Sequence, residues 1–181
     1  VTGQAGEAKR IVDWINDSWV DLQKVRADWR FMLSQFDVSL AAGDSTVAFP
    51  SDFKSFRNDV SVGFVLYRED GGRTYPTVLQ PEDMRKLILE NEDRPGYPFY
   101  VSVDNGVMTV FPSCNESIQI KGDYYVKPSS LSDTTDIPRL PEEFHMAIVW
   151  QALMAVGAYD EAANTWQRGS DKFMSVLNEL N

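Results

Sequence analysis

The chain has 181 residues, 43% of them hydrophobic and 24% charged, which is enough apolar side chain for an ordinary globular fold without disulfides or metal. Seventeen basic against 27 acidic side chains leave a net charge of −10, setting the surface against phosphate backbones and anionic lipid. A lone cysteine, Cys114, excludes an intrachain disulfide, and a lone histidine, His145, removes most routes to a histidine metal site or a Ser-His-Asp triad.

From about Ala5 to Phe36 the pattern predicts one long helix. Ile11, Ile15, Leu22, Val25, Trp29, Met32 and Phe36 recur at steps of four and three, with only Ser18 interrupting and Val12, Trp19 and Leu33 widening the stripe. Val20 and Phe31 fall on the opposite face, among Asp13, Asp17 and Lys24. They are either scattered exposed apolar groups or a second contact face between copies.

Residues 37 to about 128 read mostly as strands. Phe49–Phe56 is expected to be a turn packed on aromatic anchors. Val60–Tyr67 and Arg73–Leu79 form a loose hairpin across Asp70-Gly71-Gly72. Pro81–Glu90 is a short helix with proline at its first position and acids in its first turn. Asn105-Gly106, between Phe99–Val103 and Val107–Phe111, supplies the positive φ angles of a type I′ hairpin turn. Ser117–Lys121 and Asp123–Val126 add a third strand, with Gly122 as a bulge or bend.

A polar linker, Lys127–Pro138, precedes a helix opened by Leu140-Pro141-Glu142-Glu143 and running to about Gly157. Its apolar stretch, Met146–Tyr159, spans only about 21 Å as helix, short of a ~30 Å hydrocarbon core, and reads as a buried helix. Asp160 is expected to cap a last helix reaching Leu180, with Ala162, Trp166, Gly169, Phe173, Val176 and Leu180 on one face. The first seven residues carry no apolar run, so no secretion signal is expected. The fold class expected is α+β. A helical bundle (1–36 and 138–181, the long first helix plus a C-terminal helical hairpin) carries a small inserted antiparallel β lobe with a short helix and linker (37–137).

Chemistry is thin. Glu142 and Glu143 are adjacent, so they cannot face each other on a helix, and they suit the helix dipole better than acid–base catalysis. His145 is expected to be hydrogen-bonded locally, and Cys114 to be an inert thiol. Gly71-Gly72 lacks the strand–loop–helix context of a phosphate cradle. Trp19, Trp29, Trp150 and Trp166 fall on packing positions, while Trp14 sits at a stripe margin. No catalytic residue, metal or cofactor is expected.

One run is more specific. Gly122-Asp-Tyr-Tyr-Val-Lys-Pro128, the polar linker, and Leu140-Pro-Glu-Glu-Phe-His-Met-Ala-Ile-Val-Trp-Gln-Ala-Leu153 resemble the strand–linker–helix passage of tailed-phage head-to-tail adaptor proteins. Arg10–Gln23 followed by Trp29 is similar to their first helix. The resemblance implies a neck component of the virion, assembled in the host bacterial cytoplasm. It would form a ring, usually of twelve, under the portal protein, extend the DNA channel and offer a platform to a tail or nozzle protein. DNA would pass through the lumen without specific binding, and no membrane is involved. It also implies that the C-terminal helix engages the portal through Trp166, Phe173, Leu177 and Leu180, which otherwise serve as internal core. Copies would meet through Val20, Phe31, Arg26 and Arg30. A ring of chains at −10 each needs cations at its boundaries, for which Arg57, Arg68, Arg73 and Lys86 are further candidates.

Two readings from other classes compete. One is a virion-associated peptidoglycan-degrading enzyme using Glu142 or Glu143. The other is a carbohydrate-binding module using Tyr97, Tyr100, Tyr124 and Tyr125.

Overall fold

A computed structural model describes residues 2–57, 63–133 and 135–180, with side chains from residue 6 onward. Its helices are α1 (Thr2–Val25), α2 (Pro81–Glu90), α3 (Met146–Tyr159) and α4 (Ala163–Leu180). Its strands are β1 (Leu33–Leu40), β2 (Thr46–Ala48), β3 (Phe53–Phe56), β4 (Phe64–Arg68), β5 (Arg73–Thr74), β6 (Thr77–Val78), β7 (Tyr100–Asp104), β8 (Val107–Phe111) and β9 (Ile118–Val126). They divide into two compact units, Val1–Met32 with Pro128–Asn181, and Leu33–Lys127.

In the helical unit, α1 stops eleven residues before the expected end, at Val25 rather than Phe36. Arg26 and Asp28 hydrogen-bond side chain to side chain at 3.1 Å across the turn, and the Trp29 indole donates to the Leu22 carbonyl at 2.9 Å, satisfying a C-terminal acceptor. Trp29 and Met32 are still buried, but from a short 3₁₀ turn, Arg30–Met32. Phe36 belongs to β1, where Phe36 and Leu40 are buried while Gln35, Asp37 and Ser39 are exposed, the alternation of a strand. Phe31 therefore does not lie on the far face of a helix: it is half-buried, stacked on Trp29 at 5.3 Å and 6.1 Å from the Trp19 ring.

α1 packs on α3, and α3 on α4, around Trp19, Leu22, Leu140, Ala147 and Ile148. A Cβ on Gly157 would sit 2.5 Å from the Trp166 nitrogen, and one on Gly169 would sit 2.9 Å from the Trp150 carbonyl, so both glycines let α3 and α4 approach closely. Asp160 ends α3, its N–H on the Val156 carbonyl, rather than capping α4. Glu142–Phe144 form a separate 3₁₀ turn, so α3 proper begins only at Met146. Buried Gln23 both donates to and accepts from the Ser129 backbone, and the Leu131 N–H donates to Asn16, stitching the linker along α1.

The other unit overturns the expected fold. The class is α+β, but among the described residues nine strands in two sheets build a unit, Leu33–Lys127, that spans more than half of the chain, so this is not a bundle with a small lobe. One sheet runs β1-β9-β4-β5, with β3 also on β9; the other runs β2-β8-β7-β6. β9 is the spine of the first, antiparallel to β1 along one edge and to β4 and then β3 along the other. It does not extend the β7–β8 hairpin, as expected for a third strand. Gly122 is no bulge: it pairs with Phe36 on one side and Phe64 on the other, where any Cβ would collide with the Phe64 Cβ. The stretch 73–79 is split, β5 pairing with β4 and β6 running parallel to β7. Val60–Val62 of the expected first strand lie outside the described residues. The Asn105-Gly106 turn (φ 48° and 76°) and α2, with Pro81 at its start, match expectation. Phe49 and the rest of its segment join Phe36, Phe64 and Tyr124 in an aromatic cluster, with Phe36 and Phe49 4.8 Å apart edge-on.

Candidate functional site

α3 has no charged residue in fourteen, and a helix apolar all round is normally buried all round. It is not buried here. Ala147, Ile148 and Ala152 are buried on one side, while Met146 and Val149 are 47% and 46% exposed. Half-buried Leu153 and Val156 follow at i+7 and i+10 from Met146, so the four form one uncovered apolar stripe. Trp150 adjoins it, with the Arg168 guanidinium of α4 6.0 Å from its ring centroid. At the end of α3, Tyr159 is 59% exposed, 5.5 Å from Trp14 and beneath the Arg10 guanidinium at 4.4 Å. Met146–Tyr159 is thus not the buried helix its apolar run predicts; the signal for an uncovered face lies in the continuation of apolar residues around its whole circumference.

The residues singled out for portal contact divide in two. Trp166 is 42% exposed, whereas Phe173, Leu177 and Leu180 are partly buried against the helical core. Of those singled out for contact between copies, Val20 is half-buried and Arg30 exposed, while Arg26 is held by Asp28. The other boundary cations are largely engaged within the chain: Arg57 with Asp123, Arg68 with Asp70, Lys86 with Glu90, and Arg73 over the Tyr67 ring.

The catalytic alternative finds little support. Glu142 and Glu143 are both exposed on the 3₁₀ turn. An open hollow of about 450 Å³ brings Glu142 together with Asp136 and His145. There the His145 Nε2 lies 2.8 Å from the Leu140 carbonyl, the local bond expected for it. The Asp136 carboxylate accepts from the backbone N–H groups of Asp133 and Ser132 and from the Ser132 hydroxyl, which holds it below the usual carboxylate range, unlike a general acid. A larger cavity of about 510 Å³ opens beside β3 and β6; Lys54 and Arg57 line it, with no carboxylate among the described residues. Among the described residues no three His, Cys, Asp or Glu side chains are grouped to hold a metal ion. The carbohydrate alternative loses Tyr124 and Tyr125, which are 4% and 3% exposed, and Tyr97 is covered by Arg68 at 4.5 Å.

Cys114 is buried, and that burial, with Asp44 and Asp93 nearby, pushes its thiol up to about 11. Its alkylation by iodoacetamide at pH 8 is expected to be about 100-fold slower in the native protein than in urea, because only the thiolate reacts. With the folded value raised, the thiol's contribution to stability is complete below about pH 9 and is lost as pH rises toward 11. Equal native and unfolded alkylation rates would contradict this environment.

What the helical unit offers, then, is uncovered apolar surface with aromatic and arginine side chains at its margins, the composition of a docking protein rather than of a pocket enzyme. The profile of the family described as SU10 adaptor protein matches residues 3–180, and the chain belongs to that family of phage head–tail adaptors. No curated protein matches it. Membership gives the chain a structural role as an adaptor of the virion neck. No helix among the described residues is long and apolar enough to cross a membrane.

Proposed function

We propose that copies of this chain form a ring, dodecameric by resemblance, beneath the portal, that the ring continues the DNA channel, and that its lower side is the platform for a tail or nozzle protein. The observation that carries this reading is the family match across residues 3–180, joined to the uncovered α3 stripe that a docking protein needs. The ring acts by contact, without turnover, and assembles in the host cytoplasm. Trp166 is the group on α4 we assign to portal contact, with Phe173, Leu177 and Leu180 holding the helix that presents it. Val20 and Arg30 are assigned to the boundary between copies, with Phe31 and Arg26 shaping that region from within. A net charge of −10 per chain favours a lumen along which DNA slides without sticking.

The test is the mass of the purified chain, measured alone and after mixing with portal rings. The expected result is a single stoichiometric portal complex, weakened about tenfold or more by Trp166→Ala. A chain that stays monomeric and ignores the portal would refute the reading.

A further inference from the structure

We infer that the outer face of α1 in one copy docks onto the α3 stripe and the basic margin of α4 in the next. This inference rests on the ring reading and names the surfaces through which it would close. Two ridges run side by side along α1. Val12, 55% exposed, and half-buried Val20 lie on one, either side of Asn16, whose side chain is held by the Leu131 N–H of the linker; Asp13, Asp17 and Asp21, all exposed, form the other. Asp21 pairs with Lys24 at 3.6 Å, but Asp13 and Asp17 have no basic partner within 4 Å among the described residues. Like charges four residues apart on one helix face destabilise the free chain, so the stripe is left wanting an opposite surface.

That surface exists on the same unit. Arg168, resting against Trp150, and Lys172 one turn further along α4 are exposed, again four residues apart and again without an acidic partner within 4 Å among the described residues. Through Trp150, Arg168 borders the apolar stripe begun by Met146 and Val149, and Lys172 continues its row along the same face of α4. The two faces are complementary row for row: the valine ridge to the apolar stripe, the aspartate ridge to the basic pair. Since α3 packs between α1 and α4, they belong to different sides of the unit. A contact between unlike faces is heterologous, and a heterologous contact repeated by a closing rotation makes a ring. It also brings cations to the boundary of an acidic chain, where the arginines already paired within the chain do not serve.

Charge reversal tests this with the full chain. Asp13→Lys/Asp17→Lys and Arg168→Glu/Lys172→Glu each place like charges across the contact. A chain carrying all four substitutions restores attraction with the signs exchanged. Because the four side chains are exposed, the helical circular dichroism should be unchanged in every variant. The mass distribution of each protein is measured alone and on portal rings. Each two-site variant is expected to assemble about tenfold or more weakly than wild type, and the four-site variant to recover most of the loss. Wild type that assembles while both two-site variants assemble equally well overturns this inference and leaves the ring standing. Loss in the two-site variants without recovery in the four-site variant overturns it too. Wild type that never assembles removes the ring, and this contact with it.

Discussion

Gly122→Val is expected to lower the melting temperature by about 10 °C, the larger part of the loss appearing in the β-sheet circular dichroism. The residue sits in the middle of β9, between Phe36 of β1 and Phe64 of β4. A Cβ there would lie 2.7 Å from the Gly63 carbonyl oxygen and 2.8 Å from the Phe64 Cα, both backbone atoms that no rotamer change can move. The strand must separate from β4 or lose its register, and the aromatic cluster that holds Phe36, Phe64 and Tyr124 together opens with it. Overpacking of this kind costs about 3 kcal/mol or more, and at 181 residues each kcal/mol moves the midpoint by about 2–4 °C. Gly6→Ala, in open space on α1, is the control and should be neutral or slightly stabilising. A Gly122→Val protein melting within about 2 °C of wild type would show that β9 does not run this close to β4.

The same glycine shows where sequence reasoning reached its limit. A lone glycine in an apolar run signals either a bulge or a close approach of backbones, and only the neighbouring strands decide which. The elements read correctly were those with local chemistry: the Asn105-Gly106 turn fixed by its φ angles, α2 started by Pro81, and His145 tied to a nearby carbonyl. What was missed was non-local or too short to carry a period. β5 and β6 have two residues each and join different sheets, which no alternation in Arg73–Leu79 could reveal. β1 was hidden because Trp29, Met32 and Phe36 happen to continue the four-and-three spacing of α1, although Phe36, Val38 and Leu40 already alternate. Those errors together made the sheet unit look like a small lobe.

For the candidate site the limit is different: the sequence names residue types that suit a contact, and only the fold shows which of them stay uncovered. Tyr124 and Tyr125 looked available and are core; Arg57, Arg68 and Lys86 looked free for a neighbour and are paired within the chain. Side-chain pairing depends on elements 66 residues apart in the case of Arg57 and Asp123, beyond any local rule. What remains uncovered, the α3 stripe with Arg168 and Lys172 beside it, was legible only as an absence of charge in Met146–Tyr159.

Trp19→Ala is expected to produce the largest single loss in the helical unit, about 3–5 kcal/mol. Trp19 is 1% exposed and joins Leu22, Leu140, Ala147 and Ile148 in the cluster that holds α1 to α3. Its ring also touches Phe31, which in turn stacks on Trp29, so the cavity left by truncation reaches the turn that closes α1. Few native proteins hold more than about 5–15 kcal/mol in all, so this one substitution consumes a large fraction of the margin. Trp19→Phe keeps an aromatic body in the site and should lose about half as much or less. The pair separates stability from docking. Because Trp19 is inaccessible, Trp19→Phe should bind portal rings as wild type does below its melting temperature, while Trp19→Ala binds only to the extent that it is folded. If instead Trp19→Phe stays folded yet loses portal binding, Trp19 would have to lie on the docking surface, and the inward-facing stripe of α1 would have to be turned out toward the partner.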